Sequence, residues 1–337
     1  MQSTKSQTSN VQIQDPPNSQ MANKEPEIIT DKTQMRKWSR GMRSQGKTIG
    51  FVPTMGFLHE GHIALVKEAR NHADLVVVSI YVNPGQFSPS EDLSTYPSDI
   101  NGDIQKLMAV PGGVDVVFHP HNLYDYGTTN PSVENVNGSG GDEERNVGVV
   151  SCLENNGLGH ETWVKVERLE KGMCGKSRPV FFRGVATVVT KLFNIVDPDV
   201  ALFGKKDYQQ LRIIQRMVRD LDFAIKIIGS EIVRESDGLA MSSRNVHLSP
   251  EEREQALSIS RSLSRARIAA EKGQINCREL KESVIKAIEE AGGRVDYAEI
   301  VDQESLVAVE EIKSPVVFCV AAWFGKVRLI DNMEIDM

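Results

Sequence analysis

The sequence predicts an α/β fold: a Rossmann-like, doubly wound parallel sheet followed by a smaller C-terminal α+β domain. Strand-like and helix-like segments alternate between residues 48 and 228, and the run 75–82 is apolar on both faces, as in a parallel sheet covered by helices. After Val233 the pattern changes to two capped helices followed by three strand candidates.

Taken in order, residues 1–24 are rich in Ser, Gln, Asn and Thr and hold no apolar run of the kind a secretory signal needs, so a disordered tail is expected. They also contain no Arg, which argues against a targeting peptide. The first domain is expected over 25–232. Within it, 48–53 reads as a strand, 62–73 as a helix, 75–82 as a strand, 98–109 as a helix and 114–119 as a strand. Residues 124–159 turn rich in Gly, Asn, Ser and Glu, as in Asn137-Gly138-Ser139-Gly140-Gly141; such a stretch buries too little apolar surface to order itself, so a mobile insertion is expected. The alternation resumes with a helix over 184–196, a strand over 200–203, a helix over 208–219 and a strand over 224–228.

A second domain, 233–337, follows. Ser249-Pro250-Glu251-Glu252 is a capping box with Pro at the first helical position, opening a helix towards Glu271. Asn276 and Glu279 repeat the cap spacing for a helix that ends at Gly292-Gly293, and strands are expected over 295–301, 316–322 and 327–330.

Composition narrows the function. The chain has 337 residues, 40% hydrophobic and 25% charged, which excludes collagen-like and disulfide-framework classes. Its net charge of −7 opposes long-range attraction to nucleic acid while leaving room for a local cationic pocket. The longest apolar runs fall far short of the ~20 residues that span a bilayer, so no membrane partner is expected. Cys152, Cys174, Cys277 and Cys319 form no C-x-x-C pair, which reads as free thiols in a reducing, cytoplasmic setting.

Three segments carry chemistry. Pro53-Thr54-Met55-Gly56-Phe57-Leu58-His59-Glu60-Gly61-His62 joins the first predicted strand to its helix, where backbone N–H groups and the positive helix end face a bound phosphate. Gly56 and Gly61 permit close backbone approach, and His59 and His62 can donate to phosphate oxygens. The spacing is wrong for an H-E-x-x-H zinc helix; the plainer alternative is a pair of capping histidines. Gly204-Lys205-Lys206-Asp207 leaves another strand: Lys can serve a phosphate and Asp a ribose hydroxyl, unless the lysines are merely solvated. Met241-Ser242-Ser243-Arg244-Asn245 sits where the domains meet, and its hydroxyls and guanidinium can wrap a triphosphate, unless it is an ordinary polar linker.

Together, the histidine loop and the Ser-Ser-Arg loop resemble the HIGH and KMSKS signatures of the adenylate-forming nucleotidyltransferases. With Asn83-Pro84-Gly85-Gln86-Phe87, Phe182-Arg183-Gly184-Val185-Ala186 and Phe203 to Gln210 in order, the chain from about Glu25 resembles the pantothenate synthetase family. The long Gly-rich insertion and the wording from Lys176 to Val185 resemble its plant form.

That resemblance implies an ATP-dependent condensation of pantoate with β-alanine through pantoyl adenylate. It implies catalytic roles for His62, His59, Lys206 and Arg244. ATP would be held by Met55, Gly56, His59, Gly61, His62, Gly204, Lys205, Lys206, Asp207, Val233, Met241, Ser242, Ser243 and Arg244. Pantoate and β-alanine would meet Pro53, Met55, Asn83, Gln86 and Gln210, and Mg²⁺ would enter with the triphosphate near Asp103. A homodimer is implied as well. Two departures stand out: Phe181 occupies a position that is His in many members, and Gly102 replaces an acidic residue often found beside Asp103. The alternatives are another nucleotidyltransferase of the superfamily or a catalytically silent ATP-binding homologue.

Overall fold

The computed structural model describes residues 25–88, 91–124 and 160–336; the expected tail, and all of the expected insertion except Tyr124 at its start, lie outside the described residues. Six strands form a wholly parallel sheet: β1 (Glu27–Ile29), β2 (Ile49–Thr54), β3 (Leu75–Ile80), β4 (Val116–Phe118), β5 (Val200–Gly204) and β6 (Lys226–Ser230). Their order is β1-β4-β3-β2-β5-β6. From β2 the chain moves to β3 on one side, and later returns to place β5 on the other. The C-terminal ends of β2 and β5 therefore flank the switch point, where open α/β sheets bind ligands.

Side chains alternate across this sheet with the period of two that a strand imposes. Phe51, Val77, Val116 and Ala201 face one apolar core, which is completed by α1 (Lys32–Ser44), α5 (Phe181–Val196) and α6 (Tyr208–Asp220). Val52, Val78, Val117 and Leu202 face the opposite core, covered by α2 (Glu60–His72) and α3 (Ile100–Met108). Phe51 and Phe193 meet edge to face, with ring centroids 6.4 Å apart. Truncating either to Ala would cost about 3–5 kcal/mol.

In the second unit, β7 (Arg294–Asp302), β8 (Val316–Phe324) and β9 (Val327–Ile335) pair antiparallel in that order. Helices α7 (Pro250–Glu271) and α8 (Cys277–Glu290) cover one face. The capping box forms as its spacing predicts: the Ser249 hydroxyl accepts from the Glu252 N–H at 3.1 Å, and Glu252 accepts from the Ser249 N–H at 2.8 Å. The other face of β8 is buried too, because Val317 and Cys319 pack with Met173 and Tyr208 of the first unit, Met173 opening the short helix α4 (Met173–Ser177).

The structure adds elements that the pattern does not announce. β1, α1 and α4 are not among the expected elements, α5 starts at Phe181 rather than at Gly184, and β9 runs to Ile335 rather than stopping at Ile330. The extension of β9 is polar in sequence, yet Asp331 and Asn332 are buried and their side chains bond to other segments. No helix among the described residues is long and apolar enough to cross a membrane.

Candidate active site

A cavity of about 1000 Å³ opens at the switch point. The first wall is the loop from β2 to α2. Its turn is tight: Gly56 has φ +85° and Phe57 φ +50°, and a Cβ on Gly56 would lie 3.0 Å from Ile80 Cγ2. Asp103 of α3 holds this turn, its carboxylate accepting the Phe57 N–H at 2.7 Å and the Leu58 N–H at 2.6 Å. Burial pushes the Asp103 carboxyl above its ordinary pKa, against those amides and Lys106. Each oxygen thus accepts one backbone N–H, and Asp103 does not line the cavity. The structure places the expected metal ligand behind the cavity, where its carboxylate clasps the loop.

His59 and His62 follow, and the structure joins the two interpretations that the sequence leaves open. His59 caps α2, its Nδ1 accepting from the Gly61 N–H at 3.1 Å, and His62 Nδ1 accepts from the His59 N–H at 3.3 Å. The rings lie 4.1 Å apart. A cap that uses Nδ1 as acceptor puts the proton of the neutral ring on Nε2. Capping therefore leaves both rings as N–H donors beside the cavity that they line. Burial first, and the Lys206 charge next, hold His59 down at about 4; burial, reinforced by neighbouring His59, Lys206 and Lys106, holds His62 well below the ordinary imidazole value. Both are neutral donors at pH 7.

Gly61 must be small, since a Cβ there would come within 2.8 Å of the His59 ring.

The second wall is the exit of β5, where Gly204, Lys206 and Asp207 line the cavity. Lys205 does not. Its Nζ pairs with Glu231 at 2.5 Å and with Glu334 of β9 at 2.7 Å, so the structure places this expected ATP-binding side chain in an ion pair between the two units. Gly56 likewise serves the turn rather than the lining.

The third wall leaves β3. Asn83 is buried, donates to Gln86 Oε1 at 3.0 Å and to the Gly184 carbonyl at 3.2 Å, and accepts from the Tyr124 hydroxyl at 2.9 Å. It reaches the cavity edge, but its amide is engaged in holding Gln86. The Gln86 Nε2 is 3.3 Å from Met55 Sδ, and Gln210 faces the same space from α6.

The fourth wall is the loop that carries Val233, Met241, Ser242, Ser243 and Arg244, all lining the cavity along with Pro53 and Met55. Ser242 accepts from the Arg244 N–H at 3.2 Å, and the Ser243 hydroxyl donates to the Phe57 carbonyl at 3.2 Å, tying this loop to the histidine loop. Arg244 is held by Asp92 through two bonds, Nε to Oδ2 at 2.8 Å and Nη2 to Oδ1 at 3.1 Å.

Sequence reasoning misses Asp92, and it misses Glu91 and Arg178, an ion pair on the same cavity, and Asn332 behind it. The only sequence signal for the two carboxylates is the Glu-Asp pair just after Gln86-Phe87, and nothing local reveals its partners. Phe181, the departure from His, supplies a ring face to the Arg178 guanidinium, 3.7 Å from the centroid. Among the described residues no three His, Cys, Asp or Glu side chains form a metal cluster.

Comparison with known proteins shows the family and the fold. The pantoate-beta-alanine ligase family model matches residues 27–334. The chain is 71% identical over 316 residues to the pantoate–beta-alanine ligase of Lotus japonicus, covering 93% of this chain and 99% of that one. Its identity to the Arabidopsis thaliana enzyme of the same name is 68% over 313 residues, 93% of this chain and 99% of that one. The fold resembles the pantothenate synthetase of Thermus thermophilus, with a TM-score of 0.76 at 37% identity, covering 92% of this chain and 100% of that one. It also resembles the pantoate-beta-alanine ligase of Francisella tularensis complexed with beta-gamma ATP and beta-alanine, with a TM-score of 0.67 at 31% identity over 91% of this chain and 97% of that one.

Proposed function

The chain belongs to the pantoate–β-alanine ligase family, and from that premise we propose that its cavity performs the ATP-dependent condensation of pantoate with β-alanine. The observation that carries this is the convergence on one cavity of two neutral imidazole donors, His59 and His62, two cations, Lys206 and Arg244, and two uncharged amides, Gln86 and Gln210. The cationic side suits a triphosphate. The amide side suits a hydroxy acid whose carboxylate must stay reactive, because an acidic side chain there would repel it.

The reaction is read in two steps. A pantoate carboxylate oxygen attacks the α-phosphorus of ATP, and the bond to pyrophosphate breaks, its electrons leaving with the pyrophosphate. His62 Nε2–H, backed by Lys206, donates to the charge that grows there. Because the imidazole is neutral, its part is hydrogen bonding rather than delivery of a proton from an imidazolium. In the second step the free β-alanine amine attacks the acyl carbon, the bond to AMP breaks with its electrons leaving on AMP, and the extra proton on the new amide nitrogen passes to water. No enzyme nucleophile is required. Holding carboxylate and phosphorus in line can supply ~7–11 kcal/mol.

Mg²⁺ belongs to this proposal as a companion of ATP. With Asp103 engaged by amides and Asp92 by Arg244, the described residues offer no cage, so phosphate oxygens and water would carry the ion. A cytoplasmic homodimer completes the proposal, resting on the family resemblance.

The test is pantoate-dependent exchange of labelled pyrophosphate into ATP. Exchange with pantoate is expected. Exchange driven by an amino acid instead would favour another nucleotidyltransferase, and ATP binding without any exchange would favour a silent homologue.

A further inference from the structure

Two adjacent residues of β9 lie behind the cavity, outside its lining, and each reaches one of its phosphate-facing loops. The Asn332 side-chain amide donates to two consecutive carbonyls, Lys205 at 2.8 Å and Lys206 at 2.9 Å. Its neighbour Asp331 binds Arg234 through both oxygens, at 2.7 and 2.9 Å, and Arg234 in turn donates to the Gly238 carbonyl at 3.2 Å, at the root of the Ser242–Arg244 loop. Asp331 also accepts the Asn332 N–H at 2.8 Å. Both residues are 4% exposed.

We propose that Asp331 and Asn332 form a positioning couple that sets the Lys206 turn and the Ser242–Arg244 loop in register around one triphosphate. Peptide planes transmit the effect. Among the described residues every peptide is trans, so a carbonyl turned towards Asn332 turns the N–H on the same peptide the opposite way. Both hydrogens of one amide fix two successive planes, 205–206 and 206–207, and so fix the backbone from which the Lys206 side chain projects. A short 3-10 turn has few bonds of its own with which to do this. Burial makes the arrangement demanding, because a buried side-chain amide and a buried carboxylate are costly to leave unpartnered. One strand thus supplies both anchors, and the distance between the loops is set by adjacent residues of a β-sheet rather than by a flexible linker. Glu334, two residues on, adds the Lys205 ion pair to the same contact.

The inference rests on the proposed role of Lys206 in adenylate formation, and its test separates the two. Pantoate-dependent exchange is measured for Asn332→Ala, Lys206→Ala and the double variant, with Asn332→Ser as a smaller perturbation should Asn332→Ala fold poorly. The expected result is a loss of about 100-fold in kcat for Asn332→Ala, the scale of a misplacement of about 1 Å, with the KM for pantoate unchanged. In the double variant the loss should be no greater than in Lys206→Ala alone, because Asn332 acts through that residue. Losses that multiply, or a pantoate KM that rises with kcat falling, would assign Asn332 a general structural role and overturn the proposal. Wild-type exchange by Lys206→Ala would remove Lys206 from the first step, and with it both the site assignment and the couple. Wild-type exchange by Asn332→Ala alone would overturn the couple and leave the site assignment standing.

Discussion

Asp103 places its charge where the backbone is hardest to hold. Gly56 and Phe57 both adopt positive φ, a conformation that costs a residue with a side chain about 1–2 kcal/mol. Two amide bonds to a carboxylate, each worth about 1.5–3 kcal/mol, outweigh that cost. Replacing Asp103 by Asn sets an NH₂ against one of the two N–H groups. We expect a loss of about 100-fold in exchange with the Mg²⁺ concentration for half-activity unchanged; a large rise in that concentration would return Asp103 to the metal. The histidines give a second prediction. His59 normally titrates near 6.5 but is held at about 4 by burial and Lys206. The unfolded chain therefore takes up the proton first, so the stability contributed is complete above pH 6.5 and is lost as pH falls towards 4. Nitrogen NMR of the ligand-free protein should find His59 neutral, with the proton on Nε2, at about pH 5.5, between those two values, and His62 titrating well below the ordinary imidazole range. A midpoint near 6.5 for either would refute this account.

At the scale of elements, α5 shows why the amide wall is where it is. Gly184 lies on the 3-10 turn Pro84–Gln86, and a Cβ there would come within 2.0 Å of the Gly85 carbonyl oxygen and 2.7 Å of Gln86 Cα. Gly184→Ala should push that turn outward, cost about 1–3 kcal/mol of stability, and raise the KM for pantoate about tenfold. An unchanged pantoate KM in a folded variant would mean that Gln86 does not bind it. Elements differ in the same way in how far the sequence discloses them. Helices with a local cap signal, α7 with its capping box above all, and strands apolar on both faces are legible because their signals are local. β1 is not, since its three residues gain strand character only from pairing with β4. α1 is not, because Lys and Arg fill it and only Met35 and Ser39 are buried. The histidine, lysine and Ser-Ser-Arg loops announce the site. Asp92, Arg178, Asp331 and Asn332 have meaning only through partners distant in the chain, and the Lys205 ion pairs are hidden from the sequence for the same reason.

For the whole molecule the decisive question is what holds the second unit over the first before nucleotide arrives. A net charge of −7 gives no reason for cationic and donor groups to gather without an anion, and the structure answers with carboxylates. Glu334 and Glu231 neutralise Lys205, and Asp92 grips Arg244 across the cavity mouth. Burial pushes the Asp92 carboxyl up, but the Arg244 hydrogen bonds and charge outweigh it and hold it below its ordinary value. The grip uses Nε and Nη2 of the guanidinium, leaving Nη1 outside the pair, so phosphate can bind without first breaking it. Asp92 therefore keeps Arg244 in place rather than competing for it. Asp92→Asn should release the loop. Trypsin should then cut after Arg244 faster in the ligand-free variant than in the wild type, and exchange should fall about tenfold, the order of one charge-assisted contact. If the variant instead bound ATP more tightly and exchanged faster, Asp92 would be a competitor of phosphate, and the second unit would be held on the first by the β8 and β9 contacts and the Ser243–Phe57 bond.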